Sequence, residues 1–310
     1  GSMEEGGKMI QARKALAFCV QKLSAKDRVG IVDFATDSRA FETSLVEASA
    51  DNKARALRYI ERLEAAGGTN IEAGLGEGLT LLSAQTGRMP MVFFLTDGLP
   101  TVGMTNISDI LKAAAKQNST LKARFFSFGV GSDVNTLLLD KLAESNRGSH
   151  DYVLPKEDIE AKVSALYQKV AKPALTDVRL DWQGLDAAQI YPNPVTDIFF
   201  GSELILMGRY RDGGKGTLVV TGQAAGQKAR FEFPVELSKN APQNVFLPRL
   251  WANLKVTQEL DAIRLSGNAD PEVVKDIVKL AKRHGIVTPY TSYLITEEGT
   301  DMRSAQRAAL

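Results

Sequence analysis

Three oxygen-bearing side chains stand where local pattern and chemistry coincide: Asp97 in FFLTDG, Thr69 in AAGGTNIE and Ser2 in the opening GSMEEGGK. Asp97 follows an unbroken apolar run, MVFFLT, that reads as a strand buried on both faces. Open α/β sheets bind ligands outside the carboxyl ends of their strands, so a carboxylate there can meet a hard cation. Asp-Gly is also a common turn pair, which gives Asp97 a purely local reading. Thr69 follows two glycines and precedes a helical stripe. T-N-I-E reads as a capping box, with Thr69 capping and Glu72 reciprocating. Alternatively the Thr69 hydroxyl serves a metal, directly or through water. A hydroxyl has two lone pairs, so the two roles are not strictly exclusive. Ser2 is the third hydroxyl. Gly1-Ser2-Met3 is also what an expression vector leaves after tag removal, and both origins stay open.

These residues need a scaffold, and the first 170 or so residues supply one by alternating strand and helix patterns. Met9, Leu16, Val20 and Leu23 form a helical stripe. RVGIVDF, Arg28 to Phe34, reads as a strand, and Phe41 to Leu45 as a short edge strand. Helices follow over Asp51 to Glu64 and from Asn70, then the MVFFLT strand, then a helix capped by Asn106. RFFSFGVG is a further strand. A fifth helix carries Val134, Leu138 and Leu142, HDYVL is a short strand, and a sixth helix carries Ile159, Val163, Leu166 and Val170, with Pro155 where a first turn tolerates it. Such alternation implies a doubly wound, mostly parallel α/β sheet. The chain opens on a helix, although the first strand of such a sheet is usually central.

After Lys172-Pro173 the texture changes. VRLDW and FEFPVEL alternate apolar and polar residues, as strands with one buried face do. IFFGSELILMGRY, a DGGKG turn and TLVVTG read as a hairpin. Two helices follow from about Pro248, the second with Asp270 as cap, Pro271 in its first turn and Gly285 past its end. VTPYTSYLI reads as a terminal strand and the last residues as a polar tail. The expected organisation is an α/β domain over 1–172, an antiparallel β domain over 173–245, and C-terminal helices with a terminal strand over 246–310 that pack on the β domain.

Composition excludes several classes. With 38 basic and 37 acidic residues the net charge is +1, which gives no electrostatic case for nucleic acid or an anionic membrane. No run approaches the ~18 apolar residues of a membrane span. The single cysteine, Cys19, lies in an apolar helical stripe and reads as a buried free thiol. His150 and His284 are far apart and give little support to a zinc site or a nucleophilic triad. GVGSDV lacks the G-x-G-x-x-G and G-K-[ST] patterns of phosphate loops. Asp33, inside a strand, reads as a satisfied structural carboxylate. Nothing assembles a nucleophile, a base and an oxyanion hole, so the reading is not an enzyme.

Strand, helix, GGTN and LTDG in this order resemble a von Willebrand factor type A domain. LTDGLPTVGMTN is similar to the inter-alpha-trypsin inhibitor heavy chains and their bacterial relatives, in which a VIT domain precedes the A domain. The similarity continues through FGVGSDV, KPALTDV, GSELILMGRY, PRLWANL and VTPYTSYLI, and so covers most of the chain. The resemblance implies a metal-ion-dependent adhesion site holding Mg²⁺, Mn²⁺ or Ca²⁺, completed by an acidic group of a protein or matrix ligand. It implies Ser2, Thr69 and Asp97 as metal residues and an extracellular, cell-surface or periplasmic setting. The loop Leu99 to Asn106 would flank the metal, with Thr101 and Thr105 on its rim. The family's motif is D-x-S-x-S after a first strand. Here only G-S-M stands, and Ser2 matches the second serine. The first aspartate, the first serine, their strand and the VIT domain do not appear in this sequence. The expectation is a sheet without its first strand and a weak or vacant metal site; the gap is filled by VTPYTSYLI or by a second copy, or the chain is a fragment of a larger assembly or of a longer sequence. The alternative is an assembly module that contacts a VIT domain without metal.

Overall fold

The computed structural model describes residues 3, 7–65, 67–82, 88–131, 134–154, 157–239 and 242–291. Ser2, Pro155 and residues 292–310, which hold the polar tail and the end of VTPYTSYLI, lie outside the described residues. By proximity of its backbone the chain separates into two compact units. One comprises Gly1–Val178, Thr196–Glu203 and Gly222–Ala229, the other Arg179–Val195, Leu204–Thr221 and Arg230–Leu310.

The first unit is built on three parallel strands, β5 (Met91–Thr96), β6 (Arg124–Val130) and β7 (Ser149–Val153), in the order β5-β6-β7. Every residue of β6 is buried. Alternation along the strands sends side chains to opposite faces. Phe94 and Phe125 pack with Ile71, Leu75, Leu79, Ile110, Leu138 and Leu142. These come from α3 (Ile71–Leu82), α4 (Ile107–Leu121) and α5 (Thr136–Ser145). Met91, Phe93, Phe126, Phe128 and Val130 point the other way, onto Ala15 of α1 (Lys8–Lys22) and Ile159 and Val163 of α6 (Ile159–Val170). A buried Phe or Leu contributes roughly 1.5–3 kcal/mol, so the two apolar layers dominate stability. This is the doubly wound α/β sheet the sequence implied.

The helices start where the chemistry of their caps dictates. Ser49 accepts from the Asn52 N–H at 3.3 Å to open α2 (Ala50–Glu61), and Asn106 accepts from Asp109 at 3.1 Å to open α4. Asp158 accepts from Glu160 and Ala161 to open α6.

Two expectations for the first unit need correction. RVGIVDF is not one strand but two short ones, β1 (Arg28–Val29) and β2 (Val32–Phe34). The two are separated at Gly30 and Ile31, and a Cβ on Gly30 would crowd the end of the Leu45 side chain at 2.7 Å. Phe41 to Leu45 is not a strand. The partners flank it: β3 (Ser38–Ala40) pairs with β2, and β4 (Val46–Glu47) pairs with β1, both antiparallel.

Strands β8 (Pro173–Gln183), β10 (Ile198–Phe199), β12 (Gly214–Ala224) and β13 (Gln227–Leu237) form a four-stranded sheet in the order β10-β8-β12-β13, with β10 antiparallel to β8. The hairpin expected between GSELILMGRY and TLVVTG does not form. β11 (Met207–Tyr210) pairs instead with β9 (Ala187–Tyr191). Strand β12 turns into β13 through Ala225 and Gly226, both at positive φ (49° and 78°), as a two-residue hairpin turn requires.

In the second unit α7 (Leu247–Ser266) and α8 (Pro271–His284) pack through Val256, Ile263 and Ile277. Asp270 accepts from Glu272 at 2.9 Å and Gly285 closes α8 at φ 64°, as the sequence predicted. The terminal strand is not formed over its described part. Thr288 N–H donates to Thr291 Oγ1 at 2.9 Å and Thr291 N–H to the Thr288 carbonyl at 3.0 Å, which closes a turn around Pro289. Proline has no N–H for a ladder, and the turn bonds the backbone of Thr288 and Thr291 locally.

Candidate functional site

The carboxyl ends of β5 and β6, the start of α3 and the start of α1 converge at one end of the first unit. Asp97 follows β5 directly and is 6% exposed. Such a carboxylate is costly to bury unless paired. One partner is Lys8, in the first turn of α1, whose Nζ lies 3.2 Å from Asp97 Oδ2. The end of the Lys8 side chain also lies against Gly131, where a Cβ would meet Nζ at 3.2 Å. The ammonium therefore sits at the mouth of the sheet. Sequence reading missed Lys8, because nothing in its spacing links it to a residue 89 positions away.

Thr69 is fixed by its backbone. Its N–H donates to Thr101 Oγ1 at 2.9 Å, and its carbonyl accepts from Thr101 N–H at 3.0 Å. Gly68 N–H donates to Thr36 Oγ1 at 3.2 Å, and Asn70 N–H to the Ala35 carbonyl at 2.7 Å. The GGTN loop is thus held between the end of β2 and the loop after β5. Gly68 has no room for a side chain, since a Cβ would lie 2.4 Å from Val102 Cγ2.

The capping box expected at Thr69 is overturned. Asn70 Oδ1 accepts from Ala73 N–H at 3.2 Å, so Asn70 caps α3. Thr69 sits one residue earlier, and its hydroxyl is left for other work. That hydroxyl lies 3.5 Å from the point a Cβ on Gly98 would occupy, beside Asp97 in the chain.

The structure therefore brings Thr69, Asp97 and Thr101 to one loop cluster. Thr101 is exposed, but its hydroxyl is engaged in holding Thr69. Thr105 is exposed next to the α4 cap, Asn106. Ser2 lies outside the described residues. Among the described residues no group of three or more His, Cys, Asp or Glu side chains could hold a metal ion. A site here would draw on hydroxyls and one carboxylate. Those are hard oxygen donors, which suit Mg²⁺, Mn²⁺ or Ca²⁺ and not a soft metal. The donors match such a cation in type, while the Lys8 ammonium already sits on the same carboxylate.

Other candidates resolve into local roles. Asp33 accepts from Tyr59 Oη and from the Arg39 guanidinium, the satisfied carboxylate the sequence implied. Burial, then the bond to Asp33, pushes the Tyr59 hydroxyl up to about 12. His150 Nε2 lies 3.3 Å from Asp140 Oδ1, which also accepts from Tyr152 Oη. Burial and then Asp140 raise the Tyr152 hydroxyl. His284 ends α8, in the second unit. Cys19 packs beside the apolar layer of α1 and α6, and burial pushes its thiol up to about 12.

With this geometry in hand, comparison with known proteins is informative. Residues 2–151 match the model of the von Willebrand factor type A domain. Inter-alpha-trypsin inhibitor heavy chain H4 of Homo sapiens is 31% identical over 325 residues, covering 96% of this chain and 34% of that protein. Heavy chain H2 of Sus scrofa is 28% identical over 318 residues, with 96% and 34% covered. The chain thus spans about a third of the length of these relatives. Among solved structures, a von Willebrand factor type A protein from Catenulispora acidiphila superposes with a TM-score of 0.62 at 18% identity, over 92% of this chain and 77% of that one. Human Sec24c superposes at 0.57 with 12% identity, over 99% and 55%, a likeness of fold alone. The doubly wound unit, its loop cluster at the carboxyl ends of the strands and these matches lead to one conclusion: residues 2–151 carry a von Willebrand factor type A domain, and 96% of the chain is similar to a segment of the inter-alpha-trypsin inhibitor heavy chains.

Proposed function

We propose that this chain is a protein-binding module, not an enzyme, whose loop cluster around Asp97 and Thr69 presents a divalent cation to an acidic group of a protein or matrix partner. The observation that carries this reading is that Asn70, not Thr69, caps α3, while the Thr69 hydroxyl lies close to Gly98, the residue after the buried Asp97. Mg²⁺ prefers about six oxygens in near-octahedral array and dehydrates reluctantly. One carboxylate and neutral hydroxyls would leave such an ion with surplus positive charge, which an incoming Glu or Asp would neutralise. Ser2 would add a further hydroxyl. Thr101 would act through Thr69, and Thr105 would stand on the rim. Among the described residues no helix is long and apolar enough to cross a membrane. The proposed setting is outside the cytoplasm, as part of an exported or surface protein. Domain limits at 1–172, 173–245 and 246–310 belong to the same reading.

Calorimetric titration of Mn²⁺ or Mg²⁺ into the chain and into Asp97→Ala tests it. The expected result is weak binding that disappears in Asp97→Ala while circular dichroism stays unchanged. Binding that survives Asp97→Ala would refute the assignment.

A second reading has its own observation. The Lys8–Asp97 pair already neutralises the carboxylate without a metal. On that reading the domain is an assembly module that contacts a VIT domain, and Asp97 is structural.

A further inference from the structure

We propose that β13 is a self-complementary edge through which two copies of this chain pair antiparallel about Phe233. The surface, from Arg230 onwards, belongs to the second unit, whereas Asp97 and Thr69 belong to the first, so its test is separate from that of the metal reading.

Strand β13 ends the order β10-β8-β12-β13, so among the described residues its outer edge is unpaired. It runs for 11 residues. A long free edge of bare N–H and C=O groups is a template for a further strand. Side chains alternate along it: Phe231, Phe233 and Val235 share one face, and Arg230, Glu232 and Glu236 the other. Phe231 and Phe233 are 47% and 50% exposed, so an apolar strip reaches the free edge uncovered.

The backbone directions follow from the turn. A two-residue hairpin at Ala225-Gly226 makes Ala224 and Gln227 the hydrogen-bonded pair beside it. From there the odd-numbered residues of β13 bond to β12, and the even-numbered ones turn N–H and C=O outward. The ion pair Lys215–Glu236, at 3.7 Å, spans the two strands in that register. Pro234 is even-numbered, so the donor it lacks is one that β12 does not use.

The charge order selects the occupant. From Arg230 to Glu236 the outward-bonding positions run from basic to acidic, and an antiparallel second copy reverses that order. Pairing centred on Phe233 sets Arg230 opposite the partner's Glu236, twice by symmetry, and Phe231 opposite the partner's Val235. Phe233 meets its own copy on the axis, and the Pro234 carbonyl accepts from the N–H of the partner's Glu232. Pairing centred on Glu232 would instead set two carboxylates face to face, which is unfavourable. Within one chain Arg230 pairs with Glu232 at 2.7 Å and Glu236 with Lys215, all of them exposed. Exposed pairs hold weakly, so they do not oppose the new contacts. Charges on an edge strand commonly block pairing, but here the signs are ordered rather than uniform.

Sedimentation equilibrium of the full chain and its variants tests this, with circular dichroism as the check on folding. The wild type is expected to form a reversible dimer. Arg230→Glu and Glu236→Arg, each alone, are expected to weaken self-association at least about tenfold, since each reverses two symmetric contacts. Mixed in equal amounts, these two variants are expected to form a heterodimer, and the double variant Arg230→Glu/Glu236→Arg is expected to recover the wild-type dimer. Phe233→Cys is expected to give a disulfide-linked dimer under oxidation, because a non-hydrogen-bonded antiparallel pair brings Cα atoms to about 4.5 Å, within disulfide range. A wild type that stays monomeric at about 1 mM would overturn the inference. So would a dimer that both single reversals leave unchanged, which would place the contact on another surface. Failure of both the mixture and the double variant to associate would overturn it as well.

Discussion

Thr69 and Asn70 are adjacent polar residues with separable duties. Asn70 caps α3, while Thr69 is held by backbone bonds to Thr101. Asn70→Ala should therefore cost about 1 kcal/mol in urea unfolding. Thr69→Ala should change stability by less than about 0.5 kcal/mol yet weaken Mn²⁺ binding. Equal effects of the two substitutions on both measurements would contradict the division. Tyr59 gives a pH prediction. Its folded pKa, about 12, lies above the ordinary tyrosine value of 10 because of burial first and the bond to Asp33 second. The protonated folded form is favoured, so this contribution to stability is complete below pH 10 and is lost as pH rises through about 12. Tyr59→Phe should flatten the alkaline loss of stability in that window. Cys19, also pushed to about 12 by burial, should react with a thiol reagent at pH 8 at least about a hundredfold more slowly in the native chain than in denaturant. At this scale the sequence made Asp97 and Thr69 visible through the glycines beside them. The cap was misassigned by one residue because threonine and asparagine both cap well. Lys8 was invisible, because long-range charge pairing leaves no periodic trace.

The helices and buried strands of the first unit were the most legible elements. Their apolar residues recur at regular intervals, and α2, α4 and α6 have side-chain caps that start them. The failures cluster where a short strand is defined by its partner. RVGIVDF divides at Gly30 and Ile31 because its halves pair with different strands, β4 and β3, which is a tertiary fact. GSELILMGRY was assigned the wrong partner because DGGKG looks like a turn, whereas the pair Ala225-Gly226 makes the hairpin. Val287 to Ile295 has strand composition, but in its described part, Val287 to Thr291, Thr288 and Thr291 close a turn. Close approach also yields a prediction. A Cβ on Gly148 would lie 1.7 Å from the Phe125 carbonyl oxygen, at the entry to β7 against β6. Gly148→Ala should destabilise the first unit by several kcal/mol, since the obstacle is backbone of a fully buried strand. A shift under about 1 kcal/mol would show that the strands are not packed as described.

On the scale of the whole first unit, the two ends of the parallel sheet carry different charge arrangements. At the carboxyl end, Asp97 faces Lys8 and the loop cluster. At the amino end, Arg124 Nε donates to Asp197 Oδ2 at 2.6 Å and Nη2 to Asp177 Oδ1 at 3.3 Å. Arg147 also pairs with Asp177, whose N–H donates to Asp197 Oδ1 at 2.8 Å. Arg124 and Asp197 are buried. Removing one member of such a group leaves a buried charge, so Arg124→Met should cost about 3–5 kcal/mol in equilibrium unfolding, and Arg124→Met/Asp197→Leu less than Arg124→Met. The doubly wound architecture was legible from the alternation of patterns alone. The amino-end ion group was not, because its members come from four separate segments that only the fold unites.

The central claim is that Asp97 and Thr69 hold a divalent cation, and diffraction from crystals soaked in Mn²⁺ tests it most directly. The account predicts an anomalous peak within coordination distance of Asp97 and Thr69. No anomalous peak at that loop cluster would contradict it.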